Sequence, residues 1–76
     1  MPHVRTVIPD GERIRALRLE LGLSAPDLAA RLGYKRHRQT VHKLERGHRA
    51  SVVLIHQVAN ALNVKAPEII CKDEAA

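Results

Sequence analysis

The stretch 33-GYKRHRQTVHKLERG-47 combines dense positive charge with the apolar spacing of a buried helix face. It holds five Lys or Arg residues and two His residues, and its only acid is Glu45. Val41 and Leu44 lie three positions apart, a spacing that puts two side chains on one face of a helix. The sequence therefore predicts a helix over about residues 37–46, with an apolar inner face and a basic outer face.

The excess positive charge of the chain is confined to residues 35–49. The net charge is +5, and residues 35–49 hold six Lys or Arg residues against the one Glu. Basic and acidic residues balance in the rest of the chain. Charge that served only solubility would have no reason to collect in one place. We interpret the region as a surface for a polyanion, of which nucleic acid is the commonest.

Caps, stops and apolar spacing predict four more helices. They cover about residues 11–21, 25–32, 51–63 and 65–70. Asp10, Ser24 and Ser51 are residue types that cap helix N-termini, and Gly22 and Gly33 are typical of helix ends. We expect one all-α, five-helix domain over residues 10–70. An N-terminal arm at 1–9, which can hold a short strand, precedes it, and a tail at 71–76 follows.

Composition excludes several classes of protein. No apolar run approaches the roughly 18–20 residues that span a bilayer, and the N-terminus lacks the apolar segment of a signal peptide. Cys71 is the only cysteine, so no internal disulfide can form. We expect a soluble, cytoplasmic protein that is not an enzyme, because Ser24, Ser51 and Cys71 lack plausible catalytic partners. No cofactor is expected.

The predicted second and third helices have the physical form of a helix-turn-helix. A short turn after Gly33 joins them, and the third helix is apolar inside and basic outside. In such a pair one helix braces against the phosphate backbone while the next lies in the major groove. Val41 and Leu44 would then hold the third helix to the domain, leaving its outer side chains for DNA.

The chain resembles the Cro/repressor-type, or lambda-repressor-like, helix-turn-helix family. The similar segments are IRALRLELGLS at 14–24, DLAARLG at 27–33, TVHKLERG at 40–47 and VANALNV at 58–64. They run through about residues 12–70 in the family's order. The resemblance implies five helices, sequence-specific binding of double-stranded DNA and regulation of transcription, most often repression by a dimer in bacteria or phages.

The resemblance also assigns roles to individual residues. It implies that Arg38, Gln39 and Lys43 read base edges; Arg and Lys suit guanine, and Gln suits adenine. His42 is a further candidate contact. Arg18 and Glu45 are expected to form a structural ion pair between the first and third helices. The candidate phosphate contacts are Ser24, Lys35, Arg36, Arg46, His48 and Arg49.

Two positions depart from the family's pattern. Ala25 stands where the family commonly has a Gln that contacts phosphate, so that contact is either absent or made by Ser24 and nearby N–H groups. The distance from Gly33 to Gly47 is two residues longer than usual, so the turn is enlarged. The added length can bring Lys35 and Arg36 to phosphates, or it can change the tilt of the third helix.

Some alternatives stay open. The spacing of His37, His42 and His48 does not suit zinc, and Tyr34 alone is a poor stacking platform for single strands. The same fold can serve as a protein-interaction module, such as an antitoxin or a bridging factor. We also expect a homodimer, joined through the fifth helix and the tail, on an inverted-repeat operator.

Overall fold

The computed structural model describes residues 5–33 and 38–71 of the chain. Four α-helices and a 3-10 helix surround one core, and a two-stranded sheet lies beside them. In chain order the elements are β1 Thr6–Val7, α1 Gly11–Glu20, α2 Ala25–Arg31, α3 Arg38–Glu45, β2 Ala50–Ser51, α4 Val52–Leu62 and the 3-10 helix Ala66–Ile69. The four α-helices end within one residue of the predicted boundaries.

The N-termini of α1 and α4 are capped by the side chains that the sequence suggests. Asp10 Oδ1 accepts from the N–H of Arg13 at 3.2 Å, and Ser51 Oγ accepts from the N–H of Leu54 at 3.1 Å. Each bond satisfies one of the backbone donors left unpaired at a helix start. These local bonds fix the residues at which α1 and α4 begin.

The core is aliphatic and is shared by all the helices. Ile14, Leu28, Val41 and Ile55 are fully buried, and Leu44 is 1 % exposed. Tyr34 is the only aromatic residue of the chain and lies outside the described residues. Side chains of this size pack closely between short helices. Val41 and Leu44 thus bind α3 to the domain, as the spacing in the sequence predicts.

The fifth predicted helix is present only as a short 3-10 helix, so the expectation of five helices is not confirmed. Residues Ala66–Ile69 form one turn of 3-10 helix, closed by the bond from the N–H of Glu68 to the carbonyl of Lys65 at 3.0 Å. Pro67 lies in the first turn, where its missing N–H is tolerated. Ile70 then takes extended backbone angles and forms an antiparallel bridge with Pro9. The segment therefore ends after four residues.

The small sheet is a second departure from an all-α fold. β1 pairs antiparallel with β2, with Thr6 opposite Ser51 and Val7 opposite Ala50. β1 belongs to the segment that the sequence analysis treats as an N-terminal arm. Its pairing joins the start of the described chain to the loop that follows α3.

The described part of the chain has neither a membrane-spanning helix nor a metal cluster. Within residues 5–33 and 38–71, no helix has the length and apolar character needed to cross a bilayer. The same residues include no cluster of three or more His, Cys, Asp or Glu side chains suited to a metal ion. His37, one of the three histidines considered for zinc, lies outside these residues.

Candidate nucleic-acid interface

The third helix presents two faces of opposite character. Val41 and Leu44 point into the core, while Arg38, Gln39, His42 and Lys43 are exposed. Arg46 follows the helix directly and is exposed as well. The four predicted base-reading residues, Arg38, Gln39, His42 and Lys43, are thus brought together on α3. Such a helix offers hydrogen-bond donors to a partner while its opposite face stays packed.

An ion pair fixes the last residue of α3 to α1. Arg18 Nε donates to Glu45 Oε2 at 2.7 Å, and Arg18 Nη2 donates to Glu45 Oε1 at 3.2 Å. Both side chains are 11 % exposed. This two-point geometry is the strong form of the Arg–carboxylate contact. The hydrogen bonds to Glu45 raise the pKa of Arg18 above its ordinary value, so the guanidinium stays charged.

Arg18 also reaches the segment that leads into α2. Its Nη1 donates to the carbonyl oxygen of Leu23 at 2.9 Å. One guanidinium therefore contacts both the segment that follows α1 and the end of α3. Since Leu23 directly precedes the cap of α2, this contact fixes the start of α2 relative to the end of α3.

Gly11 allows α1 and α3 to approach each other at their backbones. A β-carbon built on Gly11 would overlap the carbonyl oxygen of Glu45 and lie 2.5 Å from its carbonyl carbon. No side chain fits at such a distance. The N-terminal end of α1 and the C-terminal end of α3 are therefore in contact only because position 11 has no side chain.

Three open concavities follow the exposed side of α3. The one on the outer face is lined by Gln39, His42, Lys43 and Arg46. A second, the loop-side concavity, lies toward the loop after α3 and includes Thr40, Lys43, His48 and Arg49. A third, the α1-side concavity, is lined by Arg15, Arg18, His42, Glu45 and Arg46. Basic side chains thus lie on the outer face of α3 and on both of its flanks.

Comparison with known proteins identifies the family of the chain. A family model described as a helix-turn-helix domain matches residues 11–69. The chain belongs to this family. Among solved structures, the restriction-modification controller protein C.AhdI from Aeromonas hydrophila is 41 % identical, with a TM-score of 0.68. The match covers 76 % of this chain and 86 % of that one. No curated protein matches the chain.

Arg49 is held beside the helix-turn-helix by the N-terminal strand. Its Nη1 donates to the carbonyl oxygen of Thr6 at 3.3 Å and lies 3.4 Å from Thr6 Oγ1. Arg49 is nevertheless exposed, and it shares the loop-side concavity with Lys43 and His48. No local pattern points to Thr6, because the contact joins residues that are 43 positions apart.

Ser24 and Asp27 form a capping box at the N-terminus of α2. Ser24 Oγ accepts from the N–H of Asp27 at 3.1 Å, and Asp27 Oδ2 accepts from the N–H of Ser24 at 2.9 Å. The bond from the Ser24 backbone lowers the pKa of Asp27. A carboxylate thus occupies the place where the helix dipole would favour a phosphate. A hydrogen bond from the Ser24 side chain also lowers the pKa of Asp27.

Only some of the other predicted phosphate contacts lie within the described residues. Arg46 and His48 are exposed just after α3. Lys35 and Arg36 lie outside the described residues, as do Tyr34 and His37. Arg15 was missed by the sequence analysis, although it stands one helical turn before Arg18. That spacing places both on one side of α1 and could have indicated that Arg15 lies near α3.

Proposed function

We propose that this protein is a sequence-specific regulator of transcription that binds double-stranded DNA with α3 in the major groove. The observation that carries this is the exposed set of polar and basic side chains on α3, in a chain of the helix-turn-helix family. The major groove is about 12 Å wide and admits a helix. Base pairs display there a distinct pattern of donors and acceptors, which side chains on a rigid helix can read.

The exposed side chains divide into two proposed roles. Arg38, Gln39, His42 and Lys43 contact base edges, since they occupy the outer face of α3. Arg46, His48 and Arg49 contact phosphates, because they follow α3 and lie at its margins. Ser24, which is bonded to the Asp27 carboxylate, is the weakest of the predicted phosphate contacts, and Lys35 and Arg36 are proposed to add further ones. Phosphate contacts position the protein, and base contacts give it sequence preference.

We further propose a homodimer on an inverted-repeat operator, acting as a repressor. The 3-10 helix, the following residues and the tail form the interface. Val64 and Ile70 are only partly buried in the chain, so they keep apolar surface for a second copy. The similarity to C.AhdI, at 41 % identity, supports a narrower proposal: the regulated genes are those of a restriction-modification system.

The test is selection of bound sequences from a random pool of DNA duplexes at physiological ionic strength. We expect enrichment of an inverted repeat with half-sites about 10 base pairs apart, one helical turn. The enriched sequence should then occur upstream of restriction-modification genes in the source genome. Absence of enrichment, with binding that vanishes as salt rises, would instead favour a protein-interaction module.

Arg49→Ala separates the two proposed roles. A lost phosphate contact should weaken binding to all sequences alike and lower the slope of log affinity against log salt by about one unit. The preferred sequence should stay the same in a repeated selection. A changed preferred sequence would show that the division into base and phosphate contacts is wrong.

A further inference from the structure

The α1-side concavity is lined by two exposed guanidinium groups that have no partner among the described residues. Arg15 on α1 and Arg46 after α3 are both exposed, and both line it. Among residues 5–33 and 38–71, neither side chain has a hydrogen bond or ion pair with the protein. Arg18 and Glu45 share the concavity but satisfy each other. The uncompensated positive charge therefore comes from Arg15 and Arg46.

The concavity lies across α3 from the loop that holds His48 and Arg49. His42 and Glu45 line the α1 side, whereas Thr40 and Lys43 line the loop side. On a helix of 3.6 residues per turn these pairs project in nearly opposite directions. A helix in the major groove has one phosphate backbone on each side of it. The loop-side concavity can serve one backbone, and the α1-side concavity is placed to serve the other.

The α2 N-terminus is poorly suited to anchor this second backbone. Ala25 offers no polar side chain, and the N–H of Ser24 is already bonded to Asp27. The Asp27 carboxylate would repel a phosphate placed at that terminus. A basic side chain near the same end of the domain is a better candidate. Arg18 contacts Leu23, just before α2, and Arg15 lies one turn away from Arg18 on α1.

We propose that Arg15 binds a DNA phosphate on the α1 side of α3, opposite the backbone that meets His48 and Arg49. This inference rests on the proposed function. A guanidinium offers several N–H donors to phosphate oxygens in a fixed, planar array. Arg46 lies at the same concavity and adds a second positive charge. The first helix is then part of the DNA-binding surface, in addition to supporting α3.

The test compares Arg15→Ala with Arg13→Ala on the selected operator duplex. Both changes remove one exposed Arg from α1, but Arg13 lines none of the three concavities along α3. Loss of one phosphate contact lowers the salt slope by about 0.9. The affinity deficit of Arg15→Ala should therefore shrink about 3.5-fold between roughly 50 and 200 mM salt. Arg13→Ala should keep the slope of the unmodified protein.

Two further measurements distinguish a phosphate contact from a structural or base-reading role of Arg15. Arg15→Lys keeps the positive charge and should retain most of the salt slope. If a circular dichroism melt shows that Arg15→Ala is unfolded, Arg15→Lys is the variant to compare with Arg13→Ala. Selection with Arg15→Ala should return the unchanged operator. The inference is overturned if Arg15→Ala matches Arg13→Ala, if Arg15→Lys loses the same slope, or if the preferred sequence changes. If Lys43→Ala still impairs binding in those cases, the proposed function stands; if the unmodified protein binds no duplex, the proposed function itself fails.

Discussion

The inner and outer sides of α3 are built from different chemistry. Inside, Val41 and Leu44 are buried, Glu45 is held by Arg18, and Gly11 lets the backbones of α1 and α3 touch. Outside, the side chains are polar or basic and exposed. The inner contacts determine where α3 lies, and the outer side chains determine what it can bind.

This separation has a physical advantage for a DNA-binding helix. The one acid of the basic stretch, Glu45, is paired with Arg18 on the inner side. It therefore does not neutralise the cations that face outward. Packing and the Arg18–Glu45 ion pair hold the inner side of the helix, so the cations on its outer side are not needed for that purpose. Stability and binding should consequently respond to different substitutions, even between neighbouring residues.

The largest expected effect comes from adjacent residues on opposite sides of α3. Leu44→Ala should lower the free energy of unfolding by about 2–5 kcal/mol, because Leu44 is 1 % exposed and its loss leaves a cavity. Lys43→Ala should change it by less than about 0.5 kcal/mol. Urea denaturation monitored by circular dichroism measures both values.

DNA binding should be affected more by Lys43→Ala than by Leu44→Ala. Lys43→Ala should cost about 1–3 kcal/mol on the operator and relax preference at one base position. Leu44→Ala, measured at a temperature where it remains folded, should keep the preference of the unmodified protein. If Lys43→Ala destabilised the fold or Leu44→Ala altered the preferred sequence, the two sides of α3 would not be separable.

Gly11→Ala tests whether the backbone contact fixes the position of α3. The added β-carbon overlaps the Glu45 carbonyl, so the helices must move apart. Forced overpacking of this kind costs about 1–3 kcal/mol, although Ala is otherwise favoured over Gly in helices by about 1 kcal/mol. We also expect weaker operator binding per folded molecule, because α3 shifts relative to the rest of the surface.

Gly22→Ala is the matched control for Gly11→Ala. Gly22 has a φ of +70°, and a β-carbon there would meet no atom within 4 Å. The left-handed conformation should cost Ala about 1–2 kcal/mol, but nothing presses on α3. Operator affinity measured by fluorescence anisotropy should therefore fall for Gly11→Ala and not for Gly22→Ala. Equal affinities would mean that α1 and α3 can separate without moving the binding surface.

Local signals in the sequence predicted the helices well. Caps at Asp10, Ser24 and Ser51 act within three residues of the chain, so their effects can be recognised without a fold. The spacing of Val41 and Leu44 likewise identified the inner side of α3. The pairing of Arg18 with Glu45 came from the family resemblance, since 27 positions separate the two residues.

Features that depend on distant segments could not be predicted in this way. The β1–β2 pairing joins residues from opposite halves of the chain, Thr6 with Ser51, and each strand has only two residues. Such short strands carry no periodic pattern. The contact of Gly11 with Glu45 and the place of Arg15 beside α3 depend on how α1 packs, which is a property of the whole core. The sequence predicted a short helix after α4 but not its 3-10 type, because its apolar residues fit one turn of either helix type.

Glu45→Gln is expected to have the smallest effect of these substitutions. It tests whether the negative charge of Glu45 is needed to hold α3 against α1. A hydrogen bond to a charged group contributes about 1.5–3 kcal/mol, and a neutral one about 0.5–1.5 kcal/mol. Replacing the carboxylate by an amide should therefore lower the free energy of unfolding by about 1 kcal/mol. Glu20→Gln, at an exposed position on α1, should change it by less than about 0.5 kcal/mol. If urea denaturation gave Glu45→Gln the same stability as Glu20→Gln, the negative charge of Glu45 would add nothing to the stability of the fold. The backbone contact at Gly11 and the packing of Leu44 would then be sufficient to place α3.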